Sequence, residues 1–122
     1  MTETMPAYPD VVIGVVVVDC DDPARLARFW SELLGWGIAS SHERWVDLEW
    51  SPRFGIGMSF QAVPEPKQAK NRLHLDVFCV DVESEVARVE ALGGRRADIN
   101  AANAVVMLDP EGNEFCLVRM PG

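Results

Sequence analysis

Residues 11–18, VVIGVVVV, are apolar at every position except a glycine, and acidic side chains bound the run on both sides. A run of this length suits a strand and is far too short to span a bilayer, so it predicts a buried strand. The period then changes. In DCDDPARLARFWSELLGW, Ala27, Trp30 and Leu33 recur at three-residue steps, and Leu26, Phe29 and Leu34 widen the stripe. That spacing predicts a helix with one apolar face. Asp22 is placed to cap it, because a carboxylate accepts the free N–H groups of a first turn. Pro23 suits the first helical position, and Gly35 ends the element.

The pattern returns later in the chain. HLDVFCVDVESEVARVEALGGR lays over VVVVDCDDPARLARFWSELLGW with Asp81 on Asp22. A β-rich run leads to an acidic cap, Val86, Val89 and Leu92 form the stripe, and Gly93 and Gly94 stop it. After each helix come a weakly marked strand (36–39 and 95–99) and a stronger one (44–50 and 104–109). A turn follows, SPRFG or DPEGN, and then a closing strand (56–63 and 114–118). Residues 64–71, PEPKQAKN, are polar and proline-bearing and form the connector. The expected organisation is one α+β domain over residues 1–122, made of two βαβββ modules at about 11–63 and about 72–119. One helix covers one face of a four-stranded sheet, so the uncovered faces are expected to enclose a concave cleft.

Strand alternation assigns side chains to faces. Leu73, Leu75, Val77 and Cys79 suit the helix side, which leaves His74, Asp76 and Phe78 opposite. Phe115 and Leu117 suit the helix side, which leaves Glu114 and Cys116 for the cleft. In the first module Met58, Phe60, Val46 and Leu48 pack, while Ser59, Gln61, Trp45, Asp47 and Glu49 face inward. The first strand is valine on both faces, so only the repeat sets its register, and it puts Val15 where the second copy has His74. Imidazole, thiol, amide, carboxylates and indole together suit a binding pocket better than a core. His74 and Asp76 also fit a simple hydrogen-bonded pair on an open face, and Cys116 also fits a small apolar filler. Trp36 and Trp50 join Trp45 as candidates for flat ligand contacts, and His42 suits an exposed turn.

Composition narrows the partner. Nineteen acidic against eleven basic side chains give a net charge of −8 over 122 residues. That charge repels nucleic acid and anionic membranes and favours a neutral or cationic small molecule, although acidity also serves solubility alone. Three cysteines without a CxxC spacing, after an acidic start MTETMPAYPD that lacks the basic region of a signal peptide, suit a reducing cytoplasm.

Two βαβββ copies, the segment DCDDPARLARFWSELLGW, the opening NRLHLDV of the second copy and the close DPEGNEFCLV together resemble the vicinal-oxygen-chelate superfamily. The likeness runs from about Val11 to Arg119 and points to its glyoxalase-like, bleomycin-resistance-like branch. The scaffold hosts lyases, isomerases, dioxygenases and non-catalytic drug binders. Its metal-dependent members place a His, Gln or Glu on the first strand of each copy and a Glu on the last. Those places here are Val15, Ser59 or Gln61, His74 and Cys116, and only His74 matches the usual ligand. The resemblance therefore implies a homodimeric cytoplasmic protein that binds a small organic ligand, cationic or aromatic, in its cleft with no metal cofactor. His74, Asp76, Cys116, Gln61, Ser59, Trp45, Asp47, Glu49 and Glu114 are its candidate ligand-binding residues. One alternative is a metal-dependent lyase, isomerase or dioxygenase that uses His74 on a divalent metal, with Glu114 or Glu49 supplying the carboxylate. Another is a purely structural or interaction role.

Overall fold

The computed structural model describes residues 10–50, 55–101 and 103–121. The chain runs β1 (Val15–Cys20), α1 (Pro23–Leu34), β2 (Ile38–His42), β3 (Trp45–Leu48), β4 (Gly57–Ala62), β5 (Leu75–Cys79), α2 (Val82–Ala91), β6 (Arg95–Ala101), β7 (Ala104–Leu108) and β8 (Glu114–Arg119). The duplication is therefore realised element by element. Each module forms a four-stranded mixed sheet, in the orders β1-β4-β3-β2 and β5-β8-β7-β6. The first and last strands of each module pair in parallel, and the remaining pairs are antiparallel.

Local chemistry sets the helix ends. The Asp22 carboxylate accepts from Arg25 N–H at 3.2 Å, and the Asp81 carboxylate accepts from Ser84 N–H at 3.2 Å. Gly35 stops α1 in the left-handed region, with φ of 74°, where a side chain would be strained. The α1 stripe of Leu26, Ala27, Phe29, Trp30 and Leu33 is buried, as are Val86 and Val89 of α2. Val46, Leu48, Met58, Phe60, Phe115 and Leu117 meet them from the helix-facing sides of the sheets, as alternation predicts.

One continuous core joins the modules. Trp30 and Phe115 rings lie 4.8 Å apart at 62°, and Phe29 and Phe115 rings 6.2 Å apart. Polar contacts brace the same seam. Both carboxylate oxygens of Glu111 accept backbone N–H groups, from Asp21 and Asp22, at 2.7 Å each. Arg25 donates to the Pro110 carbonyl at 3.1 Å, and Arg88 of α2 donates to the Leu33 carbonyl at 3.2 Å.

Three expectations fail. Residues 11–14 lie outside β1, and the strand is not buried: Val15 is 48% and Val17 43% exposed. β1 is the edge strand of its sheet, and the helix covers only the side that carries Val16, Val18 and Cys20. Leu73 does not pack under the helix; it precedes β5 and is 88% exposed, so the alternation begins at Leu75. His42 is exposed as expected but ends a strand, because its register partner is Trp45. Most of the SPRFG turn lies outside the described residues.

Candidate functional site

The predicted residues fall into two groups on two sheets. The first centres on Asp47 of β3. Its Oδ1 accepts from Trp45 Nε1 and from the Ser59 hydroxyl, each at 2.6 Å, and its Oδ2 accepts from the Ser40 hydroxyl at 2.7 Å. Hydrogen bonds from Ser59 and Ser40 hold this carboxyl below the usual carboxylate range. Ser59 is buried although it points away from the helix, and Val17 is its neighbour on β1. Gln61 donates its amide to Asp19 at 3.3 Å, and Glu49 is exposed.

The second group belongs to the other module. Asp76 and Cys116 are register partners on β5 and β8, so their side chains share a face. His74 Nε2 stands 3.3 Å from Asp76 Oδ1. Imidazole, carboxylate and thiol each offer a ligand atom, and these atoms lie within 4.8 Å of one another. Burial pushes the Cys116 thiol up, and the charge and hydrogen bond of Asp76 push it further, so the sulfur keeps its proton at neutral pH. Glu114, also predicted here, turns to other partners: Lys67 Nζ lies 3.3 Å away, and Asn71 N–H donates at 2.9 Å. Burial raises its carboxyl, but those bonds outweigh burial and hold it low. The carboxylate brought to His74 is therefore Asp76.

The metal positions of the superfamily do not fit a complete ion shell here. Val15 has no lone pair, and the Ser59 hydroxyl already donates to Asp47. Cys116 brings a thiol to the place where the metal-dependent members carry a carboxylate.

Between the modules runs a groove of about 920 Å³. Val16, Val18 and Leu75 line its apolar side, with Trp30, Met58 and Phe115 beneath. The end of β1, the connector and the opening of β8 form its rim, which includes His74 and Glu114. Of the predicted residues only these two border it. Asp19, Glu65, Lys67 and Asn71, which also border it, carry no signal that sequence spacing could expose. Asp19 closes an apolar run, and the others read as connector.

Two four-stranded sheets with crossover helices and a groove at their seam define a glyoxalase-like fold. A family model described as glyoxalase-like domain matches residues 15–118, and the chain belongs to that family. No curated protein matches the chain in sequence.

Solved structures match in fold. A glyoxalase-related enzyme from Fulvimarina pelagi superposes with a TM-score of 0.67 at 16% identity, covering 90% of this chain and 88% of its own. A glyoxalase/bleomycin resistance protein/dioxygenase family enzyme from Burkholderia phytofirmans PsJN gives 0.68 at 18% identity, with 88% and 98% covered. The bleomycin-binding protein from Streptomyces verticillus, complexed with copper(II)-bleomycin, gives 0.62 at 13% identity, with 93% and 100% covered.

Proposed function

We propose that this glyoxalase-like protein binds a small organic molecule without a catalytic metal. The observation that carries the reading is the seam groove. It has the size, apolar lining and polar rim of a small-molecule site, and both modules contribute to it. His74 and Glu114 stand at its rim, and the remaining candidate groups lie on the uncovered sheet faces. The Streptomyces verticillus protein, similar in fold, binds bleomycin, which lends the reading an analogy. Three free cysteines suit action in the cytoplasm. Among the described residues no helix is long and apolar enough to cross a membrane.

The same reading makes the protein a homodimer. Among the described residues β1 and β5 each lie at a sheet edge with no partner on one side, and Val15, Val17 and Phe78 expose apolar surface along them, Phe78 to 56%. Open apolar edges invite strand pairing, and a second copy supplies complementary partners for β1 and β5.

A second reading, a metal-dependent lyase, isomerase or dioxygenase, is favoured by the proximity of His74, Asp76 and Cys116. A metal at such a site would polarise substrate oxygens. Native mass spectrometry after loading with zinc, nickel, manganese or iron(II) separates the two readings. The expected outcome is no stoichiometric retention of metal. One ion per chain, lost in His74→Ala, would replace the first reading with the second.

A further inference from the structure

We infer that the connector, residues 64–71, is a strap that opens the seam groove by letting go of Glu114 while both modules stay folded. Its use, admitting a ligand, rests on the ligand-binding reading above. The opening itself needs no ligand to be measured, so either can fail alone.

The sequence leaves the connector few ways to hold on. In PEPKQAKN, Pro64 and Pro66 have no N–H to donate, and apart from these prolines and Ala69 every side chain is polar. Residues 64–70 are exposed, and none of them makes a backbone-to-backbone hydrogen bond among the described residues. The segment contributes nothing to the shared core.

Its start is tied down. Val63 N–H donates to the Cys20 carbonyl at 2.9 Å, which fixes the beginning of the connector to the end of β1. Beyond that point, every hydrogen bond or ion pair from residues 64–71 to the rest of the described chain ends on Asn113 or Glu114. Asn71 N–H and Lys67 Nζ both reach the Glu114 carboxylate, at 2.9 and 3.3 Å, and the Asn71 amide donates to the Asn113 side chain at 3.1 Å. Both oxygens of Glu114 are spent on the connector. One carboxylate is the latch.

The latch sits where its release changes access. Glu65, Pro66, Lys67 and Asn71 form one side of the groove mouth, and Glu114 borders it too. Breaking these few contacts frees the segment as a unit, whereas the floor of Trp30, Met58 and Phe115 and the seam bonds of Glu111 are untouched. A local opening of this kind costs far less than unfolding the domain. The groove is therefore wider at intervals than its latched form.

The duplicated fold supplies a probe and a control. Cys20 and Cys79 hold equivalent places, each the last residue of a module's first strand, and both are buried. Cys20 borders the groove beside the connector's anchor, and Cys79 does not border it. Release of the strap exposes the first thiol alone, while global unfolding exposes both.

The test compares alkylation by iodoacetamide in the wild type, Glu114→Ala and Lys67→Ala, at mild alkaline pH, with the sites resolved by peptide mass spectrometry. The ratio of the Cys20 rate to the Cys79 rate is expected to rise about fivefold in Glu114→Ala and about twofold in Lys67→Ala, which keeps the Asn71 bond. Circular dichroism checks the fold; should Glu114→Ala not fold, Lys67→Ala alone decides. An unchanged ratio overturns the strap, whatever the absolute rates. In the wild type the Asn71 N–H should exchange with deuterium at a rate that low urea barely alters, while amides inside α1 follow the global stability. Equal urea dependence also overturns the inference. A raised ratio in a chain that retains no small molecule upholds the strap and counts against the ligand-binding reading alone.

Discussion

Trp30 Nε1 donates to Asp109 Oδ2 across 3.1 Å, joining α1 of the first module to the turn before β8, 79 residues further along the chain. Asp109 is fully buried, and its Oδ1 also accepts from the N–H groups of Glu111 and Asn113 at 2.9 and 3.0 Å. Burial pushes its carboxyl up, although these donors work against that shift. Among the described residues no buried side-chain nitrogen or oxygen is left without a partner. The pair is thus a satisfied polar link inside an apolar core.

Removing the donor should destabilise the whole domain. Trp30→Phe is expected to cost about 2 kcal/mol, because a fully buried acceptor loses one bond. Asp109→Ala should cost more, on the order of 3 kcal/mol, since several donors then lack an acceptor. Urea unfolding measures both. A wild-type midpoint for Trp30→Phe would show that the link contributes nothing.

Acid stability depends in part on Asp47. Its folded pKa is lowered by Ser59 and Ser40, so its stabilising contribution is present above the ordinary value of 3.8 and is lost as pH falls through the lower folded value. Asp109 has the opposite sign, because its raised pKa favours the protonated form in the folded state. Asp47→Asn should therefore flatten the acid limb of a stability-against-pH curve while leaving the slope above pH 3.8 nearly unchanged. An unaltered acid limb would contradict this assignment.

The three thiols should react at separable rates. Cys20 and Cys79 are buried, and burial, aided by Glu111, pushes the Cys20 thiol up to about 12. Cys116 is half-buried and should react first with a disulfide reagent at mild alkaline pH, yet more slowly than a free thiol. Asp76→Asn removes a charge that raises its pKa, so the Cys116 rate should increase several-fold. A slower variant would show that the sulfur is governed by access instead.

The open edges predict assembly behaviour. Light scattering should give twice the chain mass for the wild type. Val15→Lys with Val17→Lys, both at exposed positions of β1, should give the mass of one chain with the fold retained. A monomeric wild type would remove the dimer from the proposed function.

Much of the architecture was readable because its signals are local. Asp22 and Asp81 cap helices through bonds to residues three positions on, and Phe115 and Leu117 follow from simple alternation. Alternation says nothing where every residue is valine, and for that reason β1 was expected to be buried on both sides. It also misleads where a strand has not yet begun, as at Leu73. The site was only partly legible. Asp76 and Cys116 share a face by alternation, but the turn of Glu114 toward Lys67, 47 residues away, depends on distant backbone, and the Ser40 bond to Asp47 depends on the register of the β2–β3 hairpin, which carries a bulge. The groove itself comes from tertiary apposition of β1 with the second module, which no periodicity encodes.

Glu111 lies in the second module, yet it binds the amides of Asp21 and Asp22 at the start of α1. The opening turn of the first helix is therefore completed by a side chain synthesised about ninety residues later. A fragment severed in the connector would leave these amides to water and uncover the Trp30–Phe115 contact. The two repeated halves thus share one helix start and one aromatic contact, each built from residues of both.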